Sequence, residues 1–135
     1  MAKLFNLQVL TPEREFFSGD VEAVWLNLPD GSFTILANHM PLVAPVAICD
    51  LKIKQNDEWR VAFASEGFVE VRRDGVLLFL QTCEWPDEID ARRAEDAKLR
   101  AEEQLRQKRS IAENNELRIE LARAMERLRV SRLRK

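Results

Sequence analysis

The spacing of apolar residues divides the chain into two parts at Pro86. All four glycines and all five prolines lie at or before Pro86, and no residue after it is either. Short apolar runs between turn residues favour β-strands in the first part, whereas uninterrupted helix-forming residues favour helices in the second. The pattern therefore predicts a β-domain over residues 1–85 and a helical segment over residues 86–135.

The first part contains about eight to ten short segments with β-strand character. Asn56-Asp57 and Asp74-Gly75 each separate two such segments, which is the pattern of a β-hairpin. Pro29-Asp30-Gly31 marks another turn, and Pro41 and Pro45 bracket either a loop or an edge strand. The runs that contain these segments are 3–10, 15–28, 33–36, 47–55, 58–63, 68–72 and 76–81. This spacing predicts an all-β sandwich or flattened barrel of eight to ten strands.

The second part carries two apolar stripes with helical spacing. The pair Ser110 and Glu113 fits the capping box that opens a second helix. Helices are therefore predicted at about 87–108 and 111–132, and their short connection predicts an antiparallel hairpin. The first stripe is Ala94, Ala97, Ala101 and Leu105, and the second is Leu117, Leu121, Ala124, Met125 and Leu128. Because alanine buries little apolar area, the hairpin is expected to be marginally stable and to open readily.

Charge is distributed unevenly between the two parts. Residues 1–85 contain 7 basic and 12 acidic side chains, whereas residues 86–135 contain 14 basic and 11 acidic side chains. From Leu117 onward, six arginines and Lys135 oppose only Glu120 and Glu126. A basic end of this kind predicts an acidic partner, whether a protein surface, a phosphate ligand, a nucleic acid or a membrane surface.

Cysteine, histidine and hydropathy patterns exclude several classes of protein. Cys49 and Cys83 lack zinc-ligand spacing, and a single histidine, His39, leaves a structural zinc site short of ligands, so no metal site is predicted. Two buried free thiols are favoured over a disulfide, which the sequence alone leaves open. No stretch approaches the ~20 apolar residues of a membrane span, and the N-terminus lacks a signal-peptide core. A soluble cytosolic protein without direct membrane insertion is expected.

The joint between the two parts carries the most specific motif of the chain. Residues 84–94 contain the pattern Ile-Asp-x-x-Arg-Ala, which opens a charged helix after a β-domain of this size. Earlier in the chain, Asn38-His39-Met40-Pro41-Leu42 fits the pattern Asn-His-x-Pro-Leu. In this order and over the whole chain, these features resemble the epsilon subunit of bacterial F-type ATP synthases.

The resemblance implies a non-catalytic rotor subunit of a proton-translocating F-type ATP synthase. The β-domain is expected to dock on the gamma subunit of the central stalk and on the ring of c subunits. The helical tail is expected to bind ATP when folded, and to inhibit ATP hydrolysis when it extends into the alpha/beta catalytic head. Such a subunit would be peripheral, at the cytoplasmic face of the cell membrane.

The resemblance also implies a site for ATP as a regulatory ligand, with or without Mg²⁺. Arginine forks bind phosphate oxygens in pairs, whereas Glu84 and Asp90 suit the adenine amino group, the ribose or an arginine. The sequence has no glycine-rich phosphate loop and no acid placed for magnesium and water, so ATP would be sensed and not hydrolysed. No catalytic residue is therefore expected. The candidate site residues are Glu84, Ile89, Asp90, Arg93, Ala94, Arg100, Arg123 and Arg127.

Other interpretations of the same residues stay open. Arginine–glutamate pairs on helices are usually solvated ion pairs worth about 0.3–0.5 kcal/mol, which is the alternative to nucleotide binding. His39 is more simply a structural or interface histidine than a proton carrier. The alternative function is a β-domain adaptor whose tail only mediates protein–protein interaction, although the second stripe is short for a coiled coil. The acidic β-domain disfavours nucleic-acid binding, and the lack of a nucleophile–base cluster disfavours an enzyme.

Overall fold

The computed structural model describes residues 3–107 and 110–133, which belong to two compact units, Met1–Glu84 and Trp85–Lys135. The division lies one residue before the boundary that the sequence predicts. Within the described ranges, the first unit consists of ten β-strands, and the second of a 3-10 turn and two α-helices. The predicted all-β sandwich followed by a helical hairpin is therefore confirmed. No helix in the described part of the chain is long and apolar enough to cross a membrane.

The strands of the first unit form two five-stranded sheets. They are β1 (Phe5–Leu10), β2 (Glu15–Val21), β3 (Ala23–Leu28), β4 (Gly31–Leu36), β5 (Leu42–Val46), β6 (Cys49–Gln55), β7 (Glu58–Ala64), β8 (Gly67–Arg72), β9 (Gly75–Leu80) and β10 (Cys83–Glu84). The first sheet has the order β2-β1-β9-β8-β5, and the second has the order β10-β7-β6-β3-β4. Neighbouring strands are antiparallel except for β1 and β9, which pair in parallel.

The alternation of apolar side chains within the strands fills the core of the sandwich. In β8, for example, Val69 and Val71 are buried while Phe68 and Arg72 are exposed, because successive side chains point to opposite faces of a sheet. The largest fully buried side chains of this unit are Phe63, Leu7, Leu26, Ile35, Leu51, Ile53 and Leu78. Both sheets therefore contribute to one apolar core.

For two segments of the chain, the sequence pattern left the strand assignment open and the structure decides it. The run 15–28 is divided at Glu22, where the chain leaves the first sheet and enters the second. The Glu22 N–H donates a hydrogen bond to the Lys54 carbonyl at 2.8 Å, which holds this crossing. Pro45 lies in β5, an edge strand of the first sheet, where a residue without an N–H is tolerated.

The predicted hairpin turns are present with the expected backbone. Asn56 and Asp57 both have positive φ, 54° and 64°, as a two-residue turn between antiparallel strands requires. Gly75 has a φ of 154°, and a Cβ there would lie 2.8 Å from the carbonyl oxygen of Asn6. The residue types at these positions therefore suit both turns.

The helical unit begins later than the sequence predicts. Pro86–Glu88 forms a 3-10 turn in which Glu88 Oε1 accepts a hydrogen bond from the Trp85 N–H at 2.8 Å. Because Ile89 is extended, with ψ at 125°, helix α1 spans Ala91–Leu105 rather than the predicted 87–108. Helix α2 spans Ile111–Ser131 and is capped by Ser110, whose Oγ accepts from the Glu113 N–H at 3.2 Å. Residues 108 and 109 lie outside the described residues.

The two cysteines are buried and free. Cys49 on β6 and Cys83 on β10 both pair with Ala64, from opposite sides of β7. The two cysteines are therefore two strand spacings of about 4.8 Å apart. This separation exceeds the Cα–Cα distance of ~7 Å that a disulfide tolerates. The favoured interpretation of two free thiols agrees with this arrangement.

Candidate functional site

Helices α1 and α2 pack against each other along an apolar seam. On α1, Ala94 and Ala101 are buried in this unit of the structure. The seam positions of α2 are Asn114, Leu117, Leu121, Ala124 and Leu128, all buried or half-buried. Their spacing alternates between three and four residues, as in helices that pack side by side. Met125 is 52% exposed and does not belong to the seam, so its inclusion in the predicted stripe is wrong.

The candidate residues at the joint take distinct structural places. Glu84 is the last residue of β10 in the first unit, where it pairs with Phe63. The other candidates belong to the second unit. Ile89 is 3% exposed, directly before α1. Asp90 is the N-cap of α1, and its Oδ1 accepts a hydrogen bond from the Arg93 N–H at 3.0 Å.

Each of the four candidate arginines directly precedes a seam residue. The pairs are Arg93 and Ala94, Arg100 and Ala101, Arg123 and Ala124, and Arg127 and Leu128. In an antiparallel pair of helices, positions with the same offset from the seam fall on the same side of the pair. The four arginines therefore lie along one side of the hairpin, which we call the arginine border.

The arginine border is densest at the open end of the hairpin. With a rise of 1.5 Å per residue, antiparallel packing about the connection 106–110 places Arg93 roughly level with Arg123. Arg127 lies one turn further toward the open end, where the 3-10 turn also contacts α2. Arg100 lies about 10 Å nearer the connection than Arg93. The structure thus brings Asp90, Arg93, Arg123 and Arg127 to one end, with Arg100 further along the same side.

Exposure differs between the two helices of the arginine border. Arg93 and Arg100 are exposed, whereas Arg123 and Arg127 are half-buried. A charge that is partly removed from water is screened less and interacts more strongly with an anion. We therefore expect the α2 arginines to contribute more to anion binding than the α1 arginines. Other arginines of the unit form surface ion pairs, such as Arg106 with Glu103 at 2.9 Å and Arg129 with Glu126 at 3.0 Å.

His39 has structural contacts within the β-domain. It lies in the connection between β4 and β5, and its Nδ1 donates a hydrogen bond to the Met40 carbonyl at 2.7 Å. Its ring meets the Phe33 ring edge-on, with the centroids 5.2 Å apart. These contacts agree with the interpretation of His39 as a structural histidine.

The outer face of the first sheet carries an apolar surface that was not predicted from the sequence. Val43 is 69% exposed and Phe68 is 47% exposed, and Phe68 stacks on Phe79 with ring centroids 5.1 Å apart. Strand pairing aligns these side chains with their neighbours into a continuous area, which we call the apolar patch. It consists of Leu10, Val43, Pro45, Phe68, Leu77 and Phe79. The sequence feature that could have indicated the apolar patch is the unbroken apolar run of β9, which is typical of a strand covered on both faces.

Glu70 and Arg72 form an ion pair on β8, on the same face of the sheet as Phe68 of the apolar patch. Arg72 donates two hydrogen bonds to the Glu70 carboxylate, at 2.8 and 3.1 Å. These bonds lower the pKa of Glu70 and raise the pKa of Arg72. Because the pair is solvent-exposed, it contributes little to folding stability.

Replacing Asp90 by alanine is expected to loosen the first turn of α1. The Asp90 carboxylate is the side-chain cap of this helix, and loss of such a cap costs about 1 kcal/mol. Hydrogen exchange at the amides of Arg93 and Ala94, which donate to the Asp90 side chain and carbonyl, should therefore accelerate by roughly fivefold. Asp96→Ala removes the same charge from the helix interior and is the matched control. Equal exchange in both variants would contradict the capping role.

The chain is a two-domain protein in which a β-sandwich with an apolar outer patch precedes a helical hairpin with four arginines along one side. Residues 4–86 match the family described as the ATP synthase delta/epsilon chain, beta-sandwich domain. Residues 87–132 match the ATP synthase delta/epsilon chain, long alpha-helix domain. The chain belongs to the delta/epsilon chain family of ATP synthase subunits.

Similar proteins include bacterial ATP synthase epsilon chains. The ATP synthase epsilon chain of Caldanaerobacter subterraneus subsp. tengcongensis is 48% identical over 132 residues, which cover 97% of this chain and 96% of the relative. The epsilon chain of Ruminiclostridium cellulolyticum is 44% identical and covers 92% of each chain. These values confirm the resemblance on which the sequence analysis relied.

Solved structures of mitochondrial ATP synthases share the fold. A chain from the OSCP/F1/c-ring structure of Euglena gracilis superimposes with a TM-score of 0.79 and 19% identity, covering 91% of this chain and 78% of that one. A chain from the central stalk/c-ring structure of Tetrahymena thermophila gives a TM-score of 0.72 and 12% identity, covering 96% and 98%. At these identities the likeness shows the fold alone.

Proposed function

We propose that the chain is a non-catalytic rotor subunit of a proton-translocating F-type ATP synthase. In this proposal the β-domain docks on the central stalk and the c-ring, and the helical unit regulates the motor. The hairpin binds ATP when folded, and inhibits ATP hydrolysis when it extends into the alpha/beta catalytic head. Family membership supports the place in an ATP synthase. The arginine border is the observation that carries the regulatory part.

The arginine border has the chemistry that a triphosphate requires. Arg93, Arg123 and Arg127 converge at the open end, and guanidinium forks form paired, charge-assisted hydrogen bonds with phosphate oxygens. Arg100 lies on the same side of the hairpin, nearer the connection. Each of these hydrogen bonds to a charged group contributes about 1.5–3 kcal/mol. The ligand would therefore bind across both helices and hold them together.

The remaining candidates are proposed for the base and the sugar rather than for the phosphates. Ile89, just before the N-cap of α1, and Ala94, in its first turn, are apolar and buried, so in this proposal they shape the site without polar contacts. Asp90 uses one carboxylate oxygen to cap α1, which leaves its other oxygen for the adenine amino group or the ribose. Glu84 is proposed for the same kind of contact on the basis of the family resemblance. Glu84 lies in the first unit.

ATP binding to the folded hairpin would set the balance between the two states of the tail. A ligand that binds only one state stabilises it by RT ln(1 + [L]/Kd), which is about 2.7 kcal/mol at a hundredfold excess over Kd. Because the seam of α1 is lined with alanine, the hairpin itself contributes little stability. A fall in ATP would then free the arginines of α2 for an acidic surface on the catalytic head.

The apolar patch is the surface that we assign to the gamma subunit. Clustered exposed apolar side chains mark a lasting protein contact rather than a free surface. In this proposal, another part of the β-domain contacts the c-ring. The subunit is peripheral and lies at the cytoplasmic face of the cell membrane. The Tetrahymena chain with the same fold comes from a central stalk/c-ring structure, which is consistent with docking of the β-domain on these parts.

Titration of the full-length protein with ATP in a calorimeter tests the nucleotide site. Arg127→Ala is expected to weaken binding at least about tenfold, since it removes charge-assisted hydrogen bonds from a half-buried position. Arg118→Ala is the matched control, because Arg118 is exposed and follows the seam residue Leu117, on the opposite side of the hairpin. We expect the control to change the affinity less than about threefold. Titrations with and without Mg²⁺ separate the two forms of the nucleotide.

Two results would count against the nucleotide site. Absence of binding at millimolar ATP would remove the sensing function, and leave a docking subunit or a β-domain adaptor. Equal weakening by Arg118→Ala and Arg127→Ala would show that net charge, rather than the arginine border, attracts the nucleotide.

A further inference from the structure

A polar residue interrupts the seam of the hairpin. Asn114 occupies the first seam position of α2, four residues after the cap Ser110. The Asn114 Oδ1 atom is buried, and no described residue donates a hydrogen bond to it. The backbone of the residue is satisfied, because the Asn114 N–H donates to the Ser110 carbonyl at 3.0 Å. The buried atom without a partner is therefore the side-chain oxygen.

Such an oxygen lowers the stability of the folded hairpin. A carbonyl that is taken out of water without a new hydrogen bond loses its hydration and gains nothing in return. Other seam positions of α2 carry leucine, as at Leu117 and Leu121, and a polar residue at such a position costs stability in packed helices. When the helices separate, water reaches Oδ1 and restores its hydrogen bonds. The unfavourable contact therefore exists only in the folded hairpin.

We propose that Asn114 is a weak point that keeps the hairpin easy to open. Its position near the connection between α1 and α2 means that it acts where the first turn of α2 lies beside the last turn of α1. The effect on stability is a property of the chain itself. Its consequence for ATP hydrolysis rests on the proposed function.

Hydrogen exchange of the full-length protein without nucleotide tests the weak point. Asn114→Leu is expected to slow exchange at the seam amides of α1 and α2 at least about fivefold, because a leucine removes the unpaired oxygen and adds apolar contact. Asn115→Leu is the matched control. It makes the same change in helix propensity at the neighbouring exposed position, outside the seam. We expect less than about twofold slowing in the control.

Asn114→Ala removes the oxygen without adding bulk, so it shows whether overpacking by leucine affects the result. The seam amides of this variant are expected to exchange more slowly than those of the wild type. The proposal is wrong if both Asn114 variants exchange as fast as Asn115→Leu or faster.

The complex reconstituted with Asn114→Leu links the weak point to regulation. A more stable hairpin should extend less often, so ATP hydrolysis should rise relative to the Asn115→Leu complex. Slower exchange with unchanged hydrolysis would support the weak point and contradict the proposed inhibition. The two ideas therefore fail separately.

Discussion

A chain that ends at residue 87 is expected to assemble into the ATP synthase and to raise its rate of ATP hydrolysis. The first unit, Met1–Glu84, has its own core and carries the apolar patch, so its docking surface does not need the helices. Truncation removes α1, α2 and the arginine border together, and with them the part proposed to enter the catalytic head. If half of the complexes are inhibited at low ATP, hydrolysis should rise about twofold, and more if the inhibited fraction is larger.

The comparison is between complexes reconstituted with the truncated and full-length chains, assayed for hydrolysis at low ATP and checked for subunit content. A complex that lacks the truncated chain would show that docking needs the helical unit. An intact complex with unchanged hydrolysis would contradict inhibition by the tail. ATP binding by the isolated truncated chain should also be lost, since every candidate arginine is absent from it.

Gly67→Ala is expected to unfold the β-domain or to lower its melting temperature severely. An added Cβ at Gly67 would lie 1.8 Å from the carbonyl oxygen of Phe79 and 2.8 Å from the Cα of Leu80. Both atoms belong to the backbone of β9, which pairs with β8, so relief requires the two central strands to separate. We expect a loss of more than about 3 kcal/mol in the free energy of unfolding, or over ~12 °C in Tm.

Gly19→Ala is the matched control for this experiment. A Cβ at Gly19 would meet Gln55 Nε2 at 3.5 Å and the Phe17 ring at 3.7 Å, which are ordinary contacts. Its effect should stay within about 1 kcal/mol. Urea unfolding followed by tryptophan fluorescence measures both variants. Similar midpoints for the two would show that β8 and β9 adjust to the added carbon.

Turns and strand character could be predicted from the sequence because their causes are local. Asn56 and Asp57 adopt left-handed backbone conformations, which cost asparagine and aspartate less conformational energy than most other residues. The alternation in β8 and the apolar run of β9 follow from neighbouring residues alone. The capping of α2 by Ser110 is local in the same sense.

Pairing between distant strands could not be predicted in this way. The parallel pairing of β1 with β9 joins Leu7 to Val76, and no residue near Leu7 in the chain indicates that partner. The crossing at Glu22 depends on the carbonyl of Lys54. The late start of α1 has a local cause instead, because Glu88 turns back to the Trp85 N–H three residues earlier and ends the 3-10 turn before Ile89. For the strand pairing and the crossing, the deciding partner lies far away in the chain.

The candidate site shows the same division. The motif at residues 84–94 and the arginines of α2 were identified from the sequence through the family resemblance. The placement of the four arginines on one side of the hairpin follows only from antiparallel packing, because each arginine takes its position from the seam residue beside it. Neither the apolar patch nor the unpaired Asn114 oxygen could be recognised before the partner strands and the partner helix were known.

By itself, the sequence determined the division at the last proline, the β and helical character of the two parts, the hairpin turns and the family. These depend on backbone preferences and periodicity within a few residues. Only the tertiary structure decided which strands pair, which arginines share one side of the hairpin and which oxygen in the seam lacks a hydrogen bond. Those features depend on which surfaces leave water together, and that choice is made by residues far apart in the chain.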